Sequence, residues 1–221
     1  MAQEINYYLK SIEEIAKIPE GVKPSLLVQT CCGPCACFPL TFLCPRFKVT
    51  LYYNNSNIFP RSEYEKRLGE LKKLLANMKN DYGYEVELIT PEYDNETFMK
   101  DLIPYGYCQE GGERCRICYR KRMKEAYDYA EKEGFDYFCT IMTISRQKDS
   151  KVLNAIGEDL EKEHLSTKYF YSDFKKKDGA LIGQKIREKY GLYCQNYCGC
   201  IFSFNDMKAR SALKEDENWA G

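Results

Sequence analysis

Histidine is almost missing from this chain, with His164 the sole example. A Ser-His-Asp triad or a histidine-held zinc hydrolase needs imidazoles that converge on the substrate, so both reaction types lose their usual participants. Net charge is also absent, since 33 Lys and Arg balance 33 Asp and Glu. That is not the footprint of a strongly basic nucleic-acid-binding domain. No apolar run approaches a membrane span. The first ten residues carry neither a basic n-region nor an apolar h-region, which argues against export and for the reducing cytoplasm, with no membrane partner. The segment after the first strand-like run, Cys31-Cys32-Gly33-Pro34-Cys35, holds one glycine and a proline. A phosphate-binding loop would place several glycines and free backbone N–H groups there, so ATP is not expected as a cofactor.

Against these absences stands an abundance of cysteine, twelve in 221 residues. Seven fall into three tight sets, Cys31, Cys32 and Cys35, then Cys115 and Cys118, then Cys198 and Cys200, with about eighty residues between sets. Adjacent cysteines, or a pair split by one glycine, do not easily reach the geometry of a relaxed disulfide. Thiolates at these spacings can point at one soft metal or cluster once folding brings them together. Seven exceed the four that a structural zinc or an ordinary iron-sulfur cluster takes, so either some are spare or two metals share them. Cys37, Cys44, Cys108, Cys139 and Cys194 are expected mainly as small buried hydrophobes. His164, with no local partner, is expected in a surface or capping role.

Apolar periodicity alternates between strands and helices. Strands are expected at 25–30, 47–53, 84–90, 135–142 and 168–171. Helices are expected at 7–18, 62–78 with Ser62 as cap, about 115–133, 150–164 and 179–190. The alternation implies an α/β fold, an open and mostly parallel sheet of about five strands with helices on both faces. Residues 1–24 form an N-terminal helical extension, and 25–221 a catalytic domain carrying the three cysteine sets. In such sheets ligands bind beyond the carboxyl ends of the strands, which is where Cys31 follows the first one. Arg114, Arg116, Arg120 and Arg122 crowd the second cysteine pair, where they would attract an anionic substrate. Lys175 to Lys177 form a second basic run. Tyr52, Tyr53, Tyr105 and Tyr107 flank loops at the strand ends, where exposed rings are placed to stack an unpaired base.

At these residues the chain resembles the QueH-type epoxyqueuosine reductases. The resemblance is carried by the Cys31–Cys35 set, by Tyr52 to Ile58 with Glu63, Tyr64 and Arg67, and by Arg114 to Tyr119 with Arg122. Thr143 to Ser145 with Lys148, Asp173 to Lys177 and Tyr197 to Ser203 complete it. Cys194 stands where the family pattern has a basic residue, and Cys37 adds a thiol beside the first set. The resemblance implies a two-electron reductive deoxygenation of epoxyqueuosine to queuosine at the wobble position of tRNA with a GUN-type anticodon. It implies a [4Fe-4S] cluster and a neighbouring thiolate-bound iron, an external low-potential electron donor, and no cobalamin. Cys31, Cys32, Cys35, Cys115, Cys118, Cys198 and Cys200 are the expected metal ligands, and the four arginines with Tyr53 and Asn54 the expected substrate contacts. A non-catalytic metal-binding or electron-transfer module, and a tRNA thiolation enzyme, are the alternatives.

Overall fold

The computed structural model describes residues 5–219, with side chains as far as Leu213. Five strands form one sheet: β1 Ser25–Gln29, β2 Lys48–Tyr52, β3 Glu87–Ile89, β4 Tyr137–Thr140 and β5 Lys168–Tyr169. Their order is β3-β2-β1-β4-β5 and every neighbouring pair is parallel, which is the open α/β sheet expected. The helices are α1 Tyr7–Ala16, α2 Gly33–Leu43, α3 Arg61–Tyr82, α4 Asn95–Lys100, α5 Glu113–Lys132, α6 Ser150–Glu161, α7 Gly179–Lys189 and α8 Ile201–Trp219.

Strand alternation divides the interior into two cores. Leu26, Val28, Val49, Leu51 and Cys139 pack with Leu40 of α2 and Leu71, Leu74 and Met78 of α3. Leu27 and Phe138 face the other way, against Met123, Ala126 and Tyr127 of α5 and Leu153 and Leu160 of α6. Burial on both faces explains why the central strands read as continuous apolar runs. The expected N-terminal extension is tied to this body through α1. Tyr7 stacks on Tyr171 with centroids 5.9 Å apart, and Tyr137 donates its hydroxyl to Glu14 at 2.8 Å. No helix among the described residues is long and apolar enough to cross a membrane.

Three helices escaped the periodicity argument. α2 is buried at Ala36, Cys37, Phe38, Pro39, Leu40 and Leu43, so it is apolar nearly all round and has no amphipathic stripe to read. α4 is only six residues long, and α8 follows directly on the third cysteine set. α3 begins at Arg61 with Pro60 as its cap, so Ser62 lies inside the helix. β4 stops at Thr140 because the Thr140 hydroxyl accepts the Met142 N–H at 3.1 Å and turns the chain into a 3-10 segment, Ile141–Ile144.

β5 is two residues long and is fixed from outside the sheet. The Glu131 carboxylate accepts backbone N–H groups of Leu165 at 2.9 Å, Ser166 at 3.1 Å and Thr167 at 2.8 Å. His164 is likewise structural, as its ring stacks on Tyr127 at 3.9 Å and meets Leu160 O and Asp128. Above β5, Gly157 of α6 lies on the Tyr169 ring, and an added Cβ would sit 2.1 Å from Tyr169 Cζ.

Two outcomes follow from these contacts. Gly157→Ala gains about 1 kcal/mol of helix propensity, yet overpacking against Tyr169 should outweigh it and lower stability by about 1–3 kcal/mol, read as a lower urea midpoint. The Thr167 N–H, with Leu165 and Ser166, holds the Glu131 carboxyl down from 4.5 to about 2. A depressed carboxyl contributes stability that is complete above pH 4.5 and is lost as pH falls through about 2. Glu131→Gln should therefore flatten the acid limb of the stability profile in that window, followed by circular dichroism.

Candidate metal centre and substrate cavity

Each cysteine set lies at a helix N-terminus. Cys32 caps α2 and Cys35 falls in its first turn, Cys115 lies in the first turn of α5, and Cys200 immediately precedes α8. Unsatisfied N–H groups and the helix dipole favour thiolates at such positions. The sulfurs of Cys31, Cys32 and Cys35 lie within 4.8 Å of one another, with Cys32 and Cys35 2.7 Å apart. Gly33 makes this approach possible, because a Cβ there would stand 2.8 Å from the Glu70 carbonyl oxygen of α3. Pro34 sits in the first turn of α2, where a missing N–H breaks no helical bond.

The third set has no strand to place it. Arg67, 2% exposed, donates to the carbonyl oxygens of Cys198 at 3.0 Å and Tyr197 at 3.1 Å, and its Nε pairs with Glu63 at 2.8 Å. Gly199, with φ +135°, accepts the Phe59 N–H at 2.7 Å. The loop is thereby clamped to α3 and to the chain beyond β2.

The first and third cysteine sets border a cavity of about 390 Å³. Its wall takes Cys31 and Cys35 from the end of β1, Asn55 and Asn57 from beyond β2, Gln147 and Lys148 from beyond β4, Arg67 and Arg122 from α3 and α5, and Gln195 to Cys198 from the last loop. The cavity therefore opens at the carboxyl ends of the parallel strands, beside the β1–β4 pair where the strand order reverses. Burial pushes the Cys118 thiol up to about 12, and charge on Cys198, Cys200 and Cys115 adds to the shift. The second and third sets thus share one electrostatic environment. Burial alone would favour a neutral Lys148 amine, but Cys198, Tyr119, Cys31 and Cys35 outweigh it and keep Lys148 protonated above the ordinary lysine range.

The trio fits a soft cation. Hydrogen bonds with Cys32 and Cys35 draw the Cys31 thiol well down, while those with Cys31 and Cys32 drive Cys35 up, and burial raises Cys32. One proton leaves easily and the other two are held, until a bound cation offsets the repulsion between thiolates. Asn57 Oδ1, Arg122 Nε and Gln195 Oε1 are buried without a partner among the described residues, and all three side chains line the cavity. Orphaned polar atoms around one space are what a ligand-binding wall presents before its ligand arrives.

The expected substrate contacts scatter. Tyr53 is fully buried and its hydroxyl donates to Tyr64 O at 3.1 Å. Asn54 accepts from Gln29 and donates to the Arg122 carbonyl at 2.8 Å, so it braces α5. Arg122 faces the cavity but spends one terminal nitrogen on Asn55 at 2.5 Å and the other on Met142 Sδ at 3.4 Å. Arg114 donates to Gly106 O at 2.9 Å and covers Phe202. Arg120 is paired with Asp159 and Glu163, leaving Arg116 exposed and without an ion pair among the described residues. Of the other cysteines, Cys37, Cys44 and Cys139 are core thiols, whereas Cys108 is half-buried and Cys194 exposed. In the lysine run, Lys175 donates to Thr143 O at 2.9 Å and is a strut.

Among the side chains at the cavity not expected as site residues are Arg67, Lys148, Asn57 and Gln195, whose Nε2 reaches Cys32 Sγ at 3.1 Å. Arg67 had a readable signal. It occupies the stripe of Tyr64, Leu71, Leu74 and Met78, where a guanidinium is out of place without a buried partner. Arg67→Ala should leave Glu63 and two carbonyls unpaired, cost about 3–5 kcal/mol, and expose Cys198 and Cys200 of the metal-free protein to a thiol reagent faster than Cys37 or Cys139. Equal labelling rates in variant and parent would count against the clamp.

Comparison with known proteins gives this site a family. The model of "Epoxyqueuosine reductase QueH" matches residues 26–206. The protein of that name from Streptococcus pyogenes serotype M1 is 34% identical over 91% of this chain and 79% of its own length. Its namesake from Thermotoga maritima is 31% identical over 85% of this chain and 94% of its own. A solved U34-tRNA thiolase NcsA from Methanococcus maripaludis, with its [4Fe-4S] cluster, superposes at TM-score 0.42 and 10% identity over 94% of this chain and 73% of that one, too loosely to bear on the site. This chain belongs to the epoxyqueuosine reductase QueH family and, with it, to the oxidoreductases.

Proposed function

We propose that this chain reduces the epoxide of epoxyqueuosine, at the wobble position of tRNA with a GUN-type anticodon, to the cyclopentene of queuosine. Two electrons and two protons enter, both C–O bonds of the epoxide break, a C=C bond forms, and the oxygen leaves as water. The supporting observation is that Cys31, Cys35 and Cys198, from sets far apart in the chain, line one cavity at the carboxyl ends of the strands, while Cys118 of the second set lies close enough to Cys198 and Cys200 to feel their charge. We assign Cys31, Cys32, Cys35, Cys115, Cys118, Cys198 and Cys200 to a [4Fe-4S] cluster and a second iron. Bound there, these groups supply electrons singly and an electrophile for oxygen. An external low-potential donor in the reducing cytoplasm provides the electrons, and the reading calls on neither cobalamin nor ATP.

The chain's own side chains have definable parts in this scheme. Lys148 keeps its proton on Nζ at the cavity wall, within reach of the fields of Cys31, Cys35 and Cys198, and its positive charge is placed to stabilise negative charge that develops on the departing oxygen. Asn57 and Gln195 present unpaired carbonyl oxygens that suit hydroxyl or amine donors of the modified base. Arg116 of α5, exposed and without an ion pair among the described residues, is the candidate contact to backbone phosphates outside the cavity.

Anaerobically reconstituted protein, given epoxyqueuosine-containing tRNA and a low-potential reductant, should yield queuosine on nucleoside mass spectrometry. Cys115→Ala and Cys198→Ala should each lower bound iron and sulfide and abolish the product. Unchanged iron and sulfide in both variants would remove these thiols from the metal site, and intact epoxide with a fully loaded parent would overturn the reaction.

A further inference from the structure

We propose that a second cavity, beside the cysteine-lined one, holds the unpaired base next to the modified nucleotide, stacked on Tyr107. This rests on the reading of an anticodon substrate and adds where a flanking base goes. The cavity measures about 340 Å³, inside the roughly 300–1,000 Å³ of ordinary small-ligand pockets. Glu110 borders both cavities, so the two adjoin.

The walls come from the loop before α5 and the first turns of α8. Tyr107 is 82% exposed and offers its ring to the cavity mouth. Gly106 lets the loop close on α8, since an added Cβ would meet Phe202 at 3.0 Å. Arg114 is 4% exposed, with its guanidinium 4.3 Å above the Phe202 ring. Its Nε is buried and has no acceptor among the described residues. A buried donor without a partner is costly, and a base carbonyl oxygen would relieve it. Asn205 and Asp206 add an amide and a carboxylate at the rim. An exposed ring for stacking, with polar groups for base edges, is the equipment that grips single-stranded nucleic acid.

The test uses a fluorescent anticodon stem-loop RNA, intact or abasic at each nucleotide flanking the wobble position, with full-length protein and anisotropy as readout. Tyr107→Ala should weaken binding of intact RNA roughly 5- to 100-fold, while Tyr107→Phe stays close to the parent. One abasic RNA should lose the same factor with the parent and no more with Tyr107→Ala. If Tyr107→Ala binds like the parent, or loses affinity equally on intact and both abasic RNAs, no base stacks there and the inference falls. Nucleoside analysis of the same preparations separates it from the proposed reaction. A parent that reduces the epoxide, with Tyr107→Ala binding normally, sinks only the pocket. A parent that binds through Tyr107 but leaves the epoxide intact sinks only the reaction, and a parent that binds no RNA sinks both.

Discussion

The site depends on one buried guanidinium. Arg67 reaches from the middle of α3 to two consecutive carbonyls of the last loop, and its charge is met by Glu63 one turn back. Among the described residues no sheet hydrogen bond holds that loop, and Cys198 and Cys200 are positioned by this clamp together with the Phe59 N–H on Gly199 O, the Tyr197 hydroxyl on Phe59 O and the Tyr193 N–H on Glu70. A guanidinium suits the task because its planar fork can bind several oxygens at once while staying charged. Lysine offers a point charge without the planar fork, so it would not fix Glu63 and both carbonyls in one rigid geometry.

Around that clamp, the thiols are arranged by repetition of one local device. Three chain segments end in cysteine and enter a helix, so three sets of unsatisfied N–H groups converge on the same region. Positive helix ends, Lys148 and Arg122 together favour thiolates within an otherwise neutral protein. Even overall charge is therefore compatible with a local concentration of cations, although Glu110 at the cavity and Glu63 on Arg67 offset part of it.

Helix α5 shows how a linear cluster of arginines divides in space. Arg114 and Arg122 share the face of Cys115 and Cys118 and are buried struts. Arg116 and Arg120 lie on the side of α6, where Asp159 and Glu163 neutralise Arg120. The cluster is one run in sequence and two environments in the fold, since successive residues on a helix turn by about 100°.

Strand-helix alternation was enough to read the parallel sheet, because strands buried on both faces leave continuous apolar runs and surface helices leave stripes. The three cysteine sets and the family pattern were legible for a similar reason: both are local spacings. The helix α2 was not, because a helix buried all round has no polar face to reveal its period. Nor could sequence separate Tyr53 and Asn54, which are packed and bonded inward, from Asn57, whose carbonyl faces the cavity unpaired. The local composition Tyr-Asn-Asn-Ser-Asn names the residue types but not the direction each one points. The amino-acid order alone determined the fold class and the inventory of thiols. Tertiary structure decided which arginines are struts and that Arg67, Lys148 and Gln195 border the site, since those assignments depend mostly on contacts between residues distant in the chain.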